Sequence, residues 1–427
     1  MSINRIVEPA SGEIMLKSMA EPERRSLENG IPIYSIHGGT QEICKIEFVF
    51  YAGSWHQKKP LVSVITNALL KEGTKTKSSQ EISQKLDYYG AFLEHYATPD
   101  TSVVALYTLN KHLAHTIPVF TDLISNAIFP EKEFQLLLDQ HRNQYKISKK
   151  KVEYVASRQF RTLLFGKTHP YGNEVDESSF DTLKHSDIFD FYNSYYTQQN
   201  ARIIVSGYVI PEIADTLNNT LCQTLPQGNL CIPITDGQTH SNGSKELYIE
   251  MDDVVQSAIR MGCITITREH PDFPMLEIAV TILGGYFGSR LMRNIREDKG
   301  YTYGIGARVI PLKAGSFLSI ATEVAVDITS SAVEEIKKEL KKLRTEPIST
   351  EELALVKNHL RGNILRGFDG PFAQAERFRE LSDIQLDFSY YKNVIQTIDK
   401  ATPSTIQLIA EKYLHEDLMF TVIAGKK

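Results

Sequence analysis

Alternating apolar and polar positions mark strands at Ile46-Glu-Phe-Val-Phe-Tyr51 and Ser257-Ala-Ile-Arg-Met-Gly262, because successive strand side chains point to opposite faces. Each is followed by a proline-started helix, near Pro60 and near Pro271. A glycine then opens a strand in each case, Gly90-Ala-Phe-Leu93 and Gly300-Tyr-Thr-Tyr303. An alternating strand follows (101–109; 316–322), then a helix (118–125; 328–343). Further helices are expected over 131–147 and from the capping box Ser349-Thr-Glu-Glu352 onward.

The two series end alike. Ser186-Asp-Ile, Phe191-Tyr-Asn-Ser-Tyr-Tyr196 and Ile203-Ile-Val-Ser-Gly207 match Ser404-Thr-Ile, Glu411-Lys-Tyr-Leu414 and Phe420-Thr-Val-Ile-Ala-Gly425. The offset from Ser186 to Ser404 equals that from Gly207 to Gly425, at 218 residues. Order and spacing therefore indicate an internal repeat. A stretch rich in Gly, Pro, Asn and Ser over 226–245 reads as a linker. The organisation expected is an N-terminal α+β domain (1–225), a linker (226–245) and a homologous C-terminal α+β domain (246–427).

Composition narrows the function classes. The chain has 427 residues, with 42% hydrophobic and 23% charged, in the range of globular proteins. Its net charge of −5 argues against a nucleic-acid partner, which needs a basic surplus. Cys44, Cys222, Cys231 and Cys263 are scattered and form no C-x-x-C pair, so they read as reduced thiols. The first 21 residues lack the apolar core of a secretory signal. No window approaches the ~18 apolar residues of a membrane span. A cytoplasmic location without membrane attachment is the expectation.

Several segments together resemble one family. They are Tyr51-Ala-Gly-Ser-Trp55, Lys71-Glu-Gly-Thr74, Phe165-Gly-Lys-Thr-His-Pro-Tyr-Gly172, Gly285-Tyr-Phe-Gly-Ser-Arg-Leu291 and Arg296-Glu-Asp-Lys-Gly-Tyr-Thr-Tyr303. In this order they resemble the pitrilysin and mitochondrial-processing-peptidase family of zinc peptidases with an inverted H-x-x-E-H motif. The resemblance implies two homologous domains, each a largely antiparallel sheet covered by helices. Together they would form one half of a clam-like peptide chamber.

That family's chemistry needs two histidines one helical turn apart, so that both reach one zinc. The glutamate between them takes a proton from the metal's water, and a distal glutamate completes the ligand set. Registered on Gly73-Thr74, the histidine positions are Val64 and Ala68 and the glutamate position is Asn67. The distal ligand falls at Tyr145. None of the four can do that work, and H-x-x-E-H occurs nowhere in the sequence. Phe92-Leu-Glu-His95 imitates the tail of the motif, but it follows a glycine in an expected strand. His112 and His115 stand at i, i+3 and read as a solvated helix start. No cofactor is expected in this chain.

The second half keeps more. Arg296 and Tyr303 match the family's paired arginine and tyrosine. The resemblance implies that both reach a substrate held at zinc on a partner subunit bearing H-x-x-E-H. A heterodimer or a homodimer is implied, with no peptidase activity by this chain alone. The helix around Leu291–Ile295 should end at Gly300, with Tyr303 on the following strand. Arg290 and Arg293 read as paired or solvated, Gly284–Gly288 as a helix end or bend, and Lys149–Lys151 as a solvated helix face. Ala91–Thr98 is an edge strand that either takes up an extended peptide or is unremarkable. A structural or assembly role, or a peptide-binding pseudoenzyme, remains open beside the two-chain peptidase.

Overall fold

The computed structural model describes residues 21–221, 225–231 and 244–426. The N-terminal segment, Cys222 and much of the 226–245 linker lie outside them. Six strands form the first sheet: β1 (Glu23–Ser26), β2 (Pro32–His37), β3 (Ile43–Phe50), β4 (Phe92–Ala97), β5 (Ser102–Leu109) and β6 (Ala201–Gly207). The second sheet contains β7 (Glu246–Glu250), β8 (Gln256–Gly262), β9 (Ile264–Thr265), β10 (Ile305–Ile310), β11 (Ser316–Ala325) and β12 (Phe420–Gly425).

The strand orders state the repeat. The first sheet runs β1-β2-β6-β3-β5-β4 and the second β10-β11-β8-β12-β7, with β9 beside β11. Read in matching direction, β2-β6-β3-β5-β4 corresponds to β7-β12-β8-β11-β10. The parallel pair is also the same in each, β2 with β6 and β7 with β12, while the other pairs are antiparallel. The α+β expectation of two homologous, mainly antiparallel sheets covered by helices holds.

Alternation decides what each face meets. On β3, Cys44, Ile46, Phe48 and Phe50 join the first core with Ile65, Leu69, Ile117 and Phe120 from helices 62–69 and 113–125. Val49, Val103 and Ile204 face the other way and pack on Ala375, Phe378, Leu381 and Phe388 from the second half. The reciprocal contact also exists. Ala258, Phe317, Val422 and Ala424 of the second sheet are covered by Ala156, Phe160 and Leu164 of helix 152–165. Each half thus lends a helix to the other's sheet. The chain divides at the linker by sheet but not by helix.

Local differences from expectation have physical causes. The helix placed at Pro118 begins at Leu113. The proline sits in its second turn, where core burial of Ile117, Val119 and Phe120 outweighs one missing hydrogen bond. Ser349 caps its helix by accepting from the Glu352 N–H at 3.1 Å, but the reciprocal half of the capping box is not made. Glu352 is instead held by Arg290 at 2.9 and 3.0 Å. Lys149–Lys151 do not lie on a helix face; they form the turn between helices 131–148 and 152–165. Lys149 pairs with Glu177. Cys44 and Cys263 are buried free thiols, each pushed up to about 12 by burial.

Candidate functional site

Helix 62–69 carries Val64, Asn67 and Ala68, the positions that the sequence register assigns to the zinc motif. It follows Leu61, whose positive φ of 74° turns the chain sharply into the helix. It packs against β4 and against helix 131–148, which bears Tyr145. Three of the registered positions thus share one helix, and the fourth lies on a helix that packs against it. Val64 and Ala68 are half-buried, and Val64 packs on the apolar core. Asn67 is buried and donates through Nδ2 to the Val103 carbonyl and the Tyr196 hydroxyl, both at 3.3 Å. Tyr145 lies against Phe180 at 5.5 Å between ring centroids, with the Arg158 guanidinium 5.7 Å above it. Aliphatic groups, an amide that ties helix to strand and a packed phenol replace the donor set. They do not fit zinc.

Nearby imidazoles do not rebuild the site. Burial pushes His95 and His141 below the usual imidazole range. Among the described residues, no group of three His, Cys, Asp or Glu side chains could hold a metal ion. Glu94 and His95 are neighbours on β4 and so point to opposite faces. Glu94 accepts from the Tyr107 hydroxyl at 3.1 Å. His112 and His115 both pack on Tyr89, the latter stacked at 4.7 Å. Among the described residues β4 pairs with β5 alone, and its other edge has no strand partner.

In the second half, two stretches of π-helix, Thr281–Gly285 and Met292–Asp298, flank the Gly-Ser-Arg-Leu segment. Such wide turns are uncommon and often mark functional positions. Gly284 makes the close packing possible, because a Cβ there would lie 2.6 Å from the Ala307 nitrogen of β10. Gly300 ends the helical segment at φ +65°. Arg296 sits in the last turn of the second stretch, with its guanidinium 4.5 Å from the Phe287 ring centroid.

Tyr303 is not on a strand. β10 begins at Ile305, because Thr302 Oγ1 closes a tight turn by accepting from Gly304 N–H at 3.1 Å and donating to the Glu323 carbonyl at 2.7 Å. Tyr303 is carried on that turn at 98% exposure. Phe287, 63% exposed, is the partner that sequence reasoning missed. Its only signal was an aromatic inside a segment read as a bend. Arg290 is paired with Glu352, and Arg293 is exposed.

Comparison with known proteins bears on the family and the fold. Residues 33–170 match the family model described as insulinase (peptidase family M16), and residues 182–360 match the model described as the peptidase M16 inactive domain. The chain belongs to the M16 peptidase family, which includes the pitrilysin group. An uncharacterized zinc protease of Mycobacterium leprae is 22% identical over 82% of this chain and 79% of its own length. A Helicobacter pylori protein named non-peptidase homolog YmxG is 21% identical over 84% of this chain and 83% of its own. The crystal structure of a peptidase M16 inactive domain from Pseudomonas fluorescens superposes with a TM-score of 0.85 at 21% identity, covering 95% of this chain and 98% of that one. This chain has the fold of an inactive M16 homologue. Among the described residues, no helix is long and apolar enough to cross a membrane.

Proposed function

We propose that this chain is the zinc-free subunit of a two-chain M16 peptidase in the cytoplasm, offering Arg296 and Tyr303 to a peptide held by a homologous chain bearing H-x-x-E-H. The observation that carries this reading is Tyr303. It is a phenol almost wholly in water, on a glycine-broken turn that follows an arginine stacked on an exposed phenylalanine. Such a side chain gains little from packing in its own subunit, so its value lies in what docks against it. The partner's zinc would supply the activated water. Tyr303 donates a hydrogen bond to the oxyanion that develops on the scissile carbonyl. Arg296 holds a substrate carbonyl or carboxylate by charge-assisted hydrogen bonds. The unpaired edge of β4 is available to an extended peptide through main-chain hydrogen bonds.

The test is co-purification with the zinc-motif chain, followed by metal analysis and peptidase assay of each chain alone and of the mixture. Expected are no zinc and no hydrolysis with this chain alone, and hydrolysis by the pair. Hydrolysis by this chain alone refutes the proposal. The name of the Helicobacter relative, a non-peptidase homolog, favours a second reading as an assembly subunit. That reading expects stable association and no hydrolysis by any complex containing the chain.

A further inference from the structure

Between the two halves lies a cleft of about 370 Å³. Two equivalent turns of the repeat form part of its wall: Thr98-Pro99-Asp100 between β4 and β5, and Pro311-Leu312-Lys313 between β10 and β11. The end of helix 371–382 and the Thr267–Glu269 segment complete it. Charged groups of both signs line this space, and most are already matched. Asp100 accepts from the Tyr171 hydroxyl at 2.5 Å and from the Lys313 backbone N–H at 3.2 Å. Asp383 is paired with Arg202. Glu380 serves Arg377 at 3.3 Å and Arg268 at 3.6 Å. Glu47, which acts electrostatically on Tyr96 behind the cleft, is held by Lys45 at 2.9 Å.

Two cations are left over. Arg379 is only 7% exposed, and its Nε is buried without a hydrogen-bond partner among the described residues. It lies 5.5 Å over the Tyr96 ring. The Lys313 ammonium is buried without a hydrogen-bond or ion-pair partner, 4.9 Å over the Tyr51 ring. Arg202 approaches the same ring at 4.9 Å. Burial, with Arg202 nearby, pushes the Lys313 ammonium below its ordinary range, against the weaker pull of the Asp100 and Glu269 carboxylates, neither of which pairs with it directly. Buried cations are costly unless an anion meets them. Here two of them, both from the second half, border one open space.

We propose that the cleft binds a peptide carboxylate, held by Arg379 and Lys313. Arginine matches a carboxylate's two oxygens with parallel N–H donors, and lysine adds a point charge. Pro99, Pro311, Leu312 and Ile384 provide apolar wall for the adjoining side chain. Glu269 shares the cleft and repels a phosphate dianion more strongly than a singly charged carboxylate. The volume is at the small end of ligand sites, which suits a peptide end and not a folded segment. This site is independent of Arg296 and Tyr303 and needs neither zinc nor a partner chain.

Isothermal titration calorimetry on the full chain tests it with three N-acetylated tripeptides. One ends in leucine as the free acid, one in leucine amide, and one in glutamate amide with a free side-chain carboxylate. The free acid should bind at least tenfold more tightly than leucine amide. Arg379→Gln and Lys313→Gln should each weaken the acid tenfold or more. Glutamate amide binding as tightly as the acid supports the site with a side chain as the source of the carboxylate. Should Arg379→Gln fail to fold, Lys313→Gln, on the β10–β11 turn, decides. Equal binding of acid and leucine amide, no binding of either carboxylate, or wild-type affinity in the Lys313 variant overturns the proposal.

Discussion

Replacing Tyr171 by phenylalanine removes one oxygen from the joint between the halves. In the wild type the Tyr171 hydroxyl donates to Asp100 Oδ1 at 2.5 Å and accepts from the Ala314 backbone N–H at 3.1 Å. The first bond ties the His-Pro-Tyr-Gly loop to the β4–β5 turn, and the second ties it to the β10–β11 turn. A hydrogen bond to a buried charged group contributes about 1.5–3 kcal/mol, and an orphaned buried donor costs about 1–3 kcal/mol. Tyr171→Phe should therefore cost roughly 3 kcal/mol, counting incomplete relaxation. The protein carries its own reporter. Trp55, the single tryptophan, lies 4.9 Å from the Tyr171 ring. Urea unfolding followed by Trp55 fluorescence reads this joint directly. Burial raises the Asp100 carboxyl above its usual range, while the Tyr171 bond favours its ionised form. A raised carboxyl pKa means that folding favours the protonated form, so that contribution is present in acid and lost as pH rises through the folded value. Without the tyrosine hydroxyl the ionised form loses further support, so the loss should be larger at about pH 7 than at about pH 4. A loss below about 0.5 kcal/mol, or one independent of pH, would refute the reasoning.

Other outcomes follow from the same packing. Burial, aided by Lys313, lowers His56 from 6.5 to about 4. The folded state thus holds it neutral while the unfolded chain protonates, so stability should fall as pH drops through that interval. His56→Gln should flatten that slope in thermal melts. Phe378→Ala opens the cross-half core beside Tyr34 and Phe388 and should cost about 3–5 kcal/mol by chemical denaturation. An unchanged midpoint would mean the lent helix is not needed. Asn67→Ala should cost about 1–2 kcal/mol through loss of its bonds to Val103 and Tyr196. An unaltered unfolding curve would show the amide to be structurally idle.

Much of this fold was legible because repetition and alternation are local signals. The order of strands and helices and the closing helix and strand of each half follow from spacing and period, whereas the edge position of β4 was an expectation from the family resemblance. The exchange of helices was not legible. Helix 152–165 has an ordinary amphipathic pattern, and nothing in that pattern says which sheet its apolar face will meet. At the site, the register that assigns Val64, Asn67, Ala68 and Tyr145 came with the family resemblance, and the absence of H-x-x-E-H is plain in the sequence. The placement of Tyr303 on a turn could not be read there, because it depends on Thr302 bonding across to Glu323. Phe287 beneath Arg296 escaped for a related reason: the contact is made by π-helical winding, which has no period that alternation detects.

The central claim concerns Tyr303, and kinetics of the assembled two-chain enzyme test it most directly. Tyr303 is exposed, so Tyr303→Phe should leave folding and assembly unaltered. The account predicts a fall in kcat of roughly tenfold or more for the pair, with little change in KM, as expected for a donor that acts in the transition state. An unaltered kcat in a fully assembled complex would contradict it.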